Sequence, residues 1–195
     1  MNRDTIINEI LIPSLRRLYK VDYVNIKYGV SERNICARLA HHMENIMRQY
    51  NRRHKCKVFN NYYADVEYNR MGNGDFKHYE NSKKRPQYMV ADLLIQSRGE
   101  PENLLAVEMK RKGNNRHVKE DKERLEKLVS TTPPESDDCV FGTLVGAFIT
   151  YSKDDVSICQ FEDKEGHGQQ VGEIQLRYDE TMCQLVFKWA VRYPL

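Results

Sequence analysis

The chain has 195 residues, 40% hydrophobic and 30% charged, with 31 Lys and Arg against 28 Asp and Glu and a net charge of +3. That length suits one domain with a single core, and the composition argues against disorder. No apolar run nears the ~18 residues that span a bilayer, Asp4 and Glu9 interrupt any leader-like start, and five scattered cysteines without a CxxC argue against a disulfide framework or a zinc site. The expectation is a cytoplasmic protein with free thiols and no membrane association. Charge is spread unevenly: residues 1–130 hold 26 basic and 17 acidic side chains, whereas residues 131–195 hold 5 and 11. A basic front and an acidic back would favour a polyanion approaching from one side.

In chain order, Ile6, Ile7, Ile10, Leu11, Leu15 and Leu18 give residues 3–19 a helical period, with Pro13 predicting a kink or break. Ser31 reads as an N-cap, with Glu32 in the first turn of a helix running to about Arg48. Its apolar stripe is Ile35, Leu39, Met43, Ile46 and Met47, and Cys36 on the same side reads as a small core residue. Residues 57–69 read as a strand and 71–86 as a polar loop. YMVADLLIQ (88–96) and NLLAVEMK (103–110), joined by SRGEPE, read as a β-hairpin. Residues 117–130 read as a charged helix packing Val118, Leu125, Leu128 and Val129, followed by a surface loop. Segments 141–151, 156–161, 172–178 and 183–191 are strand-like, and Phe187, Trp189 and Val191 alternate as one strand face. This order predicts a mixed α/β domain around one sheet, with a core over about 30–151, a helical segment at 1–29 and strands over 155–192.

Three Glu-x-Lys triplets occur: Glu108–Lys110, Glu120–Lys122 and Glu162–Lys164. In a helix, residues two apart point roughly 200° away from each other, which disposes of the second. The third follows a strand within a run of charge and glycine. The first sits on an apolar strand, where i and i+2 share a face. A hairpin turning near Glu100 places Asp92 opposite Glu108, with Cβ atoms about 4.5–5.5 Å apart, Lys110 beside them, and Leu93, Ile95, Val107 and Met109 turned to the core. Two carboxylates this close repel unless a positive charge lies between them, and a hard divalent cation such as Mg²⁺ is a natural occupant. The competing account is an Asp92–Lys110 cross-strand ion pair with Glu108 half solvated. A one-residue slip in register would break the match.

An acidic residue on a first helix, a strand Asp, then a strand with Glu-x-Lys followed by a helix resembles the layout of the PD-(D/E)XK nuclease superfamily, the restriction-endonuclease-like proteins. The stretch VADLLIQSRGEPENLLAVEMKRK is similar to its core motif, SERNICARLAHHM to its leading helix, and Glu67-Tyr68-Asn69-Arg70 to an element of small bacterial members. Ala91 stands where the name-giving proline would be. The resemblance implies a restriction-endonuclease-like mixed sheet flanked by helices, and Mg²⁺-dependent hydrolysis of nucleic acid with Mn²⁺ as a substitute. It also implies Asp92 and Glu108 as metal ligands with the Met109 carbonyl as a third, Glu32 approaching from the helix, and Lys110 orienting the attacking water or stabilising charge on the phosphate. Glu32 is equally a helix-capping acid. DNA is favoured over RNA as the partner.

Basic clusters at 48–57, 83–86 and 110–119 nominate Arg52, Arg53, Lys55 and Lys112 for phosphate contact, joined by Arg70 of the Glu67-Tyr68-Asn69-Arg70 element, with Tyr50 able to stack on a base. Basic residues at a helix end also offset its macrodipole. His41 and His42, adjacent on a helix, point about 100° apart and read as surface or packing residues. No Walker loop, GxGxxG or GxSxG occurs. The alternative to a nuclease is a non-cleaving nucleic-acid-binding or assembly module that keeps the scaffold. Lacking a separate DNA-reading module, the chain is expected to act as a homodimer or with a partner subunit.

Overall fold

A computed structural model describes residues 1–67, 78–80, 86–97, 102–131 and 142–193, of which 78–80 and 86–88 are described by their backbone alone. Seven strands form one sheet in the order β1-β4-β5-β6-β7-β8-β9, spanning Tyr62–Val66 (β1), Leu93–Ser97 (β4), Asn103–Arg111 (β5), Val145–Tyr151 (β6), Asp155–Lys164 (β7), His167–Asp179 (β8) and Gln184–Arg192 (β9). Strands β5 and β6 run parallel through the crossover helix α5 (Val118–Val129), and every other neighbouring pair is antiparallel. The chain is therefore a mixed α/β domain built on one mixed sheet.

Helices α2 (Ile12–Val21), α3 (Tyr23–Tyr28) and α4 (Glu32–Arg53) cover one face, burying Leu15, Leu18, Leu39 and Met43 against Leu93, Ile95, Val107, Met109 and Ile149. Helix α5 covers the other face, packing Leu125, Leu128 and Val129 on Leu94, Ala106, Phe148 and Phe161. Burial on both faces is why LLAVEM and VGAFITY read as continuous apolar runs without alternation.

The structure revises several expectations. Pro13 does not break the first helix. The short turn Arg3–Thr5 (α1) passes into a π segment, Ile6–Leu11, and Pro13 falls at the start of α2. The wider π turn accommodates a ring that would otherwise crowd the carbonyl four residues earlier. Ser31 caps α4, its hydroxyl accepting from the Asn34 N–H at 3.3 Å, but the helix runs to Arg53 because no Gly or Pro stops it before Lys55, whose φ of 50° is left-handed. The strand expected at 57–69 is confined to Tyr62–Val66. Residues 57–61 turn instead, with Phe59 N–H donating to Asn51 Oδ1, and residues 68–69 lie outside the described residues.

Within the expected loop 71–86, His78–Glu80 (β2) pairs with Pro86–Tyr88 (β3), and residues 71–77 and 81–85 lie outside the described residues. The first hairpin strand starts at Leu93, not at 88, and β6 starts at Val145. Phe187, Trp189 and Val191 do not share one face. A bulge sets Phe187 opposite Leu176 but Trp189 opposite Gln175, neighbours that face opposite ways, and all three are exposed. Most of the loop after α5 also lies outside the described residues.

Gly168 on β8 sets how closely α5 approaches the sheet. A Cβ there would lie 1.9 Å from the Glu126 carbonyl oxygen, a backbone atom with little room to move. Gly168→Ala is expected to lower the free energy of unfolding in urea by about 1–3 kcal/mol through overpacking. Wild-type stability in that variant would contradict the close seating of α5.

Candidate active site at the β4–β5 hairpin

The hairpin register is Leu93↔Val107, Leu94↔Ala106 and Ile95↔Leu105, which continued by one residue sets Asp92 opposite Glu108. This alignment depends on a bulge. Nearer the turn Gln96 pairs with Asn103, and Leu104 is the extra residue that advances β5 by one position. Without it, Asp92 would face Val107, and Asp92 and Glu108 would lie on opposite faces of the sheet. Val107 and Met109 lie in the core under α2 and α4, so Glu108 and Lys110 project to the α5 side.

Asp92 Oδ2 accepts the Met109 N–H at 2.8 Å, fixing the carboxylate against β5. Glu108 is 1% exposed. Burial first, and then the neighbouring Asp92 charge, push its carboxyl well above the usual range, while Arg124 and Lys110 pull the other way. Burial also raises Asp92, against the pull of the Met109 N–H and Lys110. Burial lowers the Lys110 ammonium, but its ion pair with Asp121, Nζ to Oδ2 at 3.1 Å, prevails and leaves it raised. Arg124 Nε lies 2.8 Å from Glu108 Oε1, and Arg124 Nη2 donates to Asp121 Oδ1. Two acceptors of this cluster, Glu108 Oε1 and Asp121 Oδ2, are buried and touch cations at short range without an aligned hydrogen bond. Such oxygens retain a demand for a further partner.

Asp121 and Arg124 went unnoticed in the sequence because α5 reads as a charged helix. The signal was present: Val118, Asp121, Leu125 and Leu128 share one helical stripe, and an acid on an apolar stripe is anomalous.

Glu32 enters from the opposite face. Its Oε1 accepts the Arg111 N–H at 3.0 Å and the Asn114 amide at 2.9 Å, so it ties the start of α4 to the end of β5. Glu67, with a left-handed φ of 53°, pairs with Arg33 at 2.5 Å, and its N–H donates to the Asp92 carbonyl at 3.2 Å. The competing Glu162–Lys164 triplet does lie within a strand, β7, contrary to expectation. Glu162 faces Gln169 and pairs with Arg3 at 3.2 Å, so no second carboxylate opposes it across the ladder.

Among the described residues no group of three or more His, Cys, Asp and Glu is arranged to enclose a metal ion. The donors available at the hairpin are the two carboxylates and main-chain oxygen. Mg²⁺ is commonly held by one or two carboxylates, completing its shell with water and substrate phosphate, and the chemistry of this donor set fits that open mode.

The nominated nucleic-acid contacts are dispersed. Arg52 and Arg53 lie at the far end of α4, about 30 Å from Glu32 at 1.5 Å per residue. Arg53 pairs with Glu9 at 2.5 Å, while Arg52 and Lys55 line a groove of about 730 Å³ with Arg48, Asn51, Phe59 and Tyr62. Lys112 is close in sequence to Lys110 but pairs with Asp155 at 2.7 Å. Arg70 and the cluster at 83–85 lie outside the described residues. His42 is buried, 2.6 Å from Asp22 Oδ2, which also accepts from Arg38 at 2.8 Å, whereas His41 is exposed. Cys36, Cys56, Cys159 and Cys183 are free thiols. Among the described residues no helix is long and apolar enough to cross a membrane.

No protein-family model, curated protein or solved structure matches this chain.

A carboxyl whose pKa rises on folding contributes stability below its unfolded value, and that contribution is lost as pH rises through the folded one. In EDTA the wild-type Tm is therefore expected to fall as pH rises above the ordinary carboxylate range. Glu108→Gln should show a smaller fall and be at least as stable at pH 8. A variant that melts several degrees lower with an unchanged pH slope would mean that the Arg124 contact outweighs burial and the Asp92 repulsion.

Proposed function

We propose that this protein is a Mg²⁺-dependent nuclease of restriction-endonuclease-like fold that hydrolyses phosphodiester bonds of DNA in the cytoplasm, as a homodimer or with a partner subunit. The observation that carries the reading is the pairing of two carboxylates, half-buried Asp92 and buried Glu108, on one face of an apolar hairpin with Lys110 two residues on. Asp92 and Glu108 would hold the ion, with the Met109 carbonyl beside them. A divalent cation bound there supplies Lewis acidity toward the phosphate and a nucleophile at neutral pH. Lys110 would orient the attacking water or neutralise charge developing on the phosphate oxygens. Glu32 holds the strand end that carries Lys110, and the bulge at Leu104 keeps all three side chains on one side.

A second reading, a non-cleaving module on the same scaffold, is favoured by one observation: Lys110 and Glu108 are already matched by Asp121 and Arg124 within the protein. Cleavage of plasmid and single-stranded DNA with Mg²⁺ or Mn²⁺ separates the two. Activity abolished by EDTA and reduced at least ~10²-fold in both Asp92→Ala and Lys110→Ala is the expected result. Activity that survives both substitutions would refute the site, and stabilisation of neither wild type nor variants by Mn²⁺ would favour the module.

A further inference from the structure

The hairpin is half of a charge cluster whose other half comes from α5. Three carboxylates, Asp92, Glu108 and Asp121, face two cations, Lys110 and Arg124. Asp121 is 3% exposed and spends one oxygen on each cation. Without it, the anions left acting on the lysine would be Asp92 and then Glu32, and an ammonium settled on Asp92 would weaken any cation site there. Arg124 holds two acids unequally. Its bond to Asp121 is aligned, whereas its contact with Glu108 is close but misaligned. The Glu108 contact is therefore the one that yields, and an arginine leaving it keeps Asp121 as a buried partner, which avoids the large cost of an uncompensated charge.

We propose that α5 completes the site, with Asp121 as the positioning residue that draws Lys110 off Asp92 and Arg124 as a resident cation that balances Glu108 until a divalent ion takes its place. The inference rests on the metal-dependent reading above. It also gives a charge balance: with all five groups ionised the cluster sums to −1, a divalent ion brings it to +1, and one phosphodiester returns it to neutrality.

The test is calorimetric Mn²⁺ titration of the full-length chain without nucleic acid. Wild type should bind Mn²⁺ and Asp92→Asn should not. Arg124→Gln should bind at least ~5-fold tighter than wild type even though it melts lower in EDTA, because the competing cation is gone. Asp121→Asn should bind several-fold more weakly, and adding Lys110→Met to it should restore affinity, a rescue that loss of packing alone would not give. In wild type, where no variant needs to fold, the Arg124 Nε–H resonance should shift on saturation with Mg²⁺. Mn²⁺ binding by wild type with no gain in Arg124→Gln, or an Arg124 resonance that stays put, overturns this inference alone. No Mn²⁺ uptake by wild type overturns the metal reading and the inference with it.

Discussion

Two acids forced together in a place with little water are the constraint on which the site depends. Asp92 and Glu108 stand opposite each other because β4 and β5 are buried on both faces, so the apolar residues between them fix the register and the carboxylates follow. Each would be cheaper to bury protonated, and both are pushed in that direction. The surrounding chain offsets this cost with a main-chain N–H on Asp92, a guanidinium on Glu108 and an ammonium nearby. A fold optimised for stability alone would place apolar residues here. The cluster is a cost that the rest of the domain tolerates, as the proposed metal-dependent reading requires.

Alternating periodicity and apolar runs were enough to read the central hairpin, the helix after it and the four strands that follow, because those segments are packed on at least one face and packing leaves a pattern. Elements held by local polar contacts were harder to read. The turn at 57–61 is tied to α4 by the Asn51 side chain, and the end of α4 is set by a backbone conformation at Lys55. The π segment before Pro13 leaves no periodic trace of its own. The bulges at Leu104 and in β9 shift register by one residue, which no alternation count detects. At Leu104 the shift put Asp92 and Glu108 where the simple turn count had placed them, and in β9 it undid the expected single face.

The candidate site was legible to the same extent. Asp92, Glu108 and Lys110 stand out because charge on an apolar strand is anomalous, and the same logic applied to a helical stripe would have found Asp121. Arg124 is visible only in three dimensions, since its meaning lies in what it touches. The basic residues at the end of α4 illustrate the opposite failure: clustered in sequence, they sit about 30 Å along the helix from Glu32. A DNA strand engaging both ends of α4 would have to span roughly nine base pairs at ~3.4 Å each.

The most direct test of the account is a crystal structure of the wild-type chain grown with Mn²⁺ and measured for anomalous scattering. The account predicts one anomalous peak about 2.1 Å from carboxylate oxygens of both Asp92 and Glu108, with Arg124 turned toward Asp121. Mn²⁺ absent from the hairpin, with Arg124 still against Glu108, would contradict it.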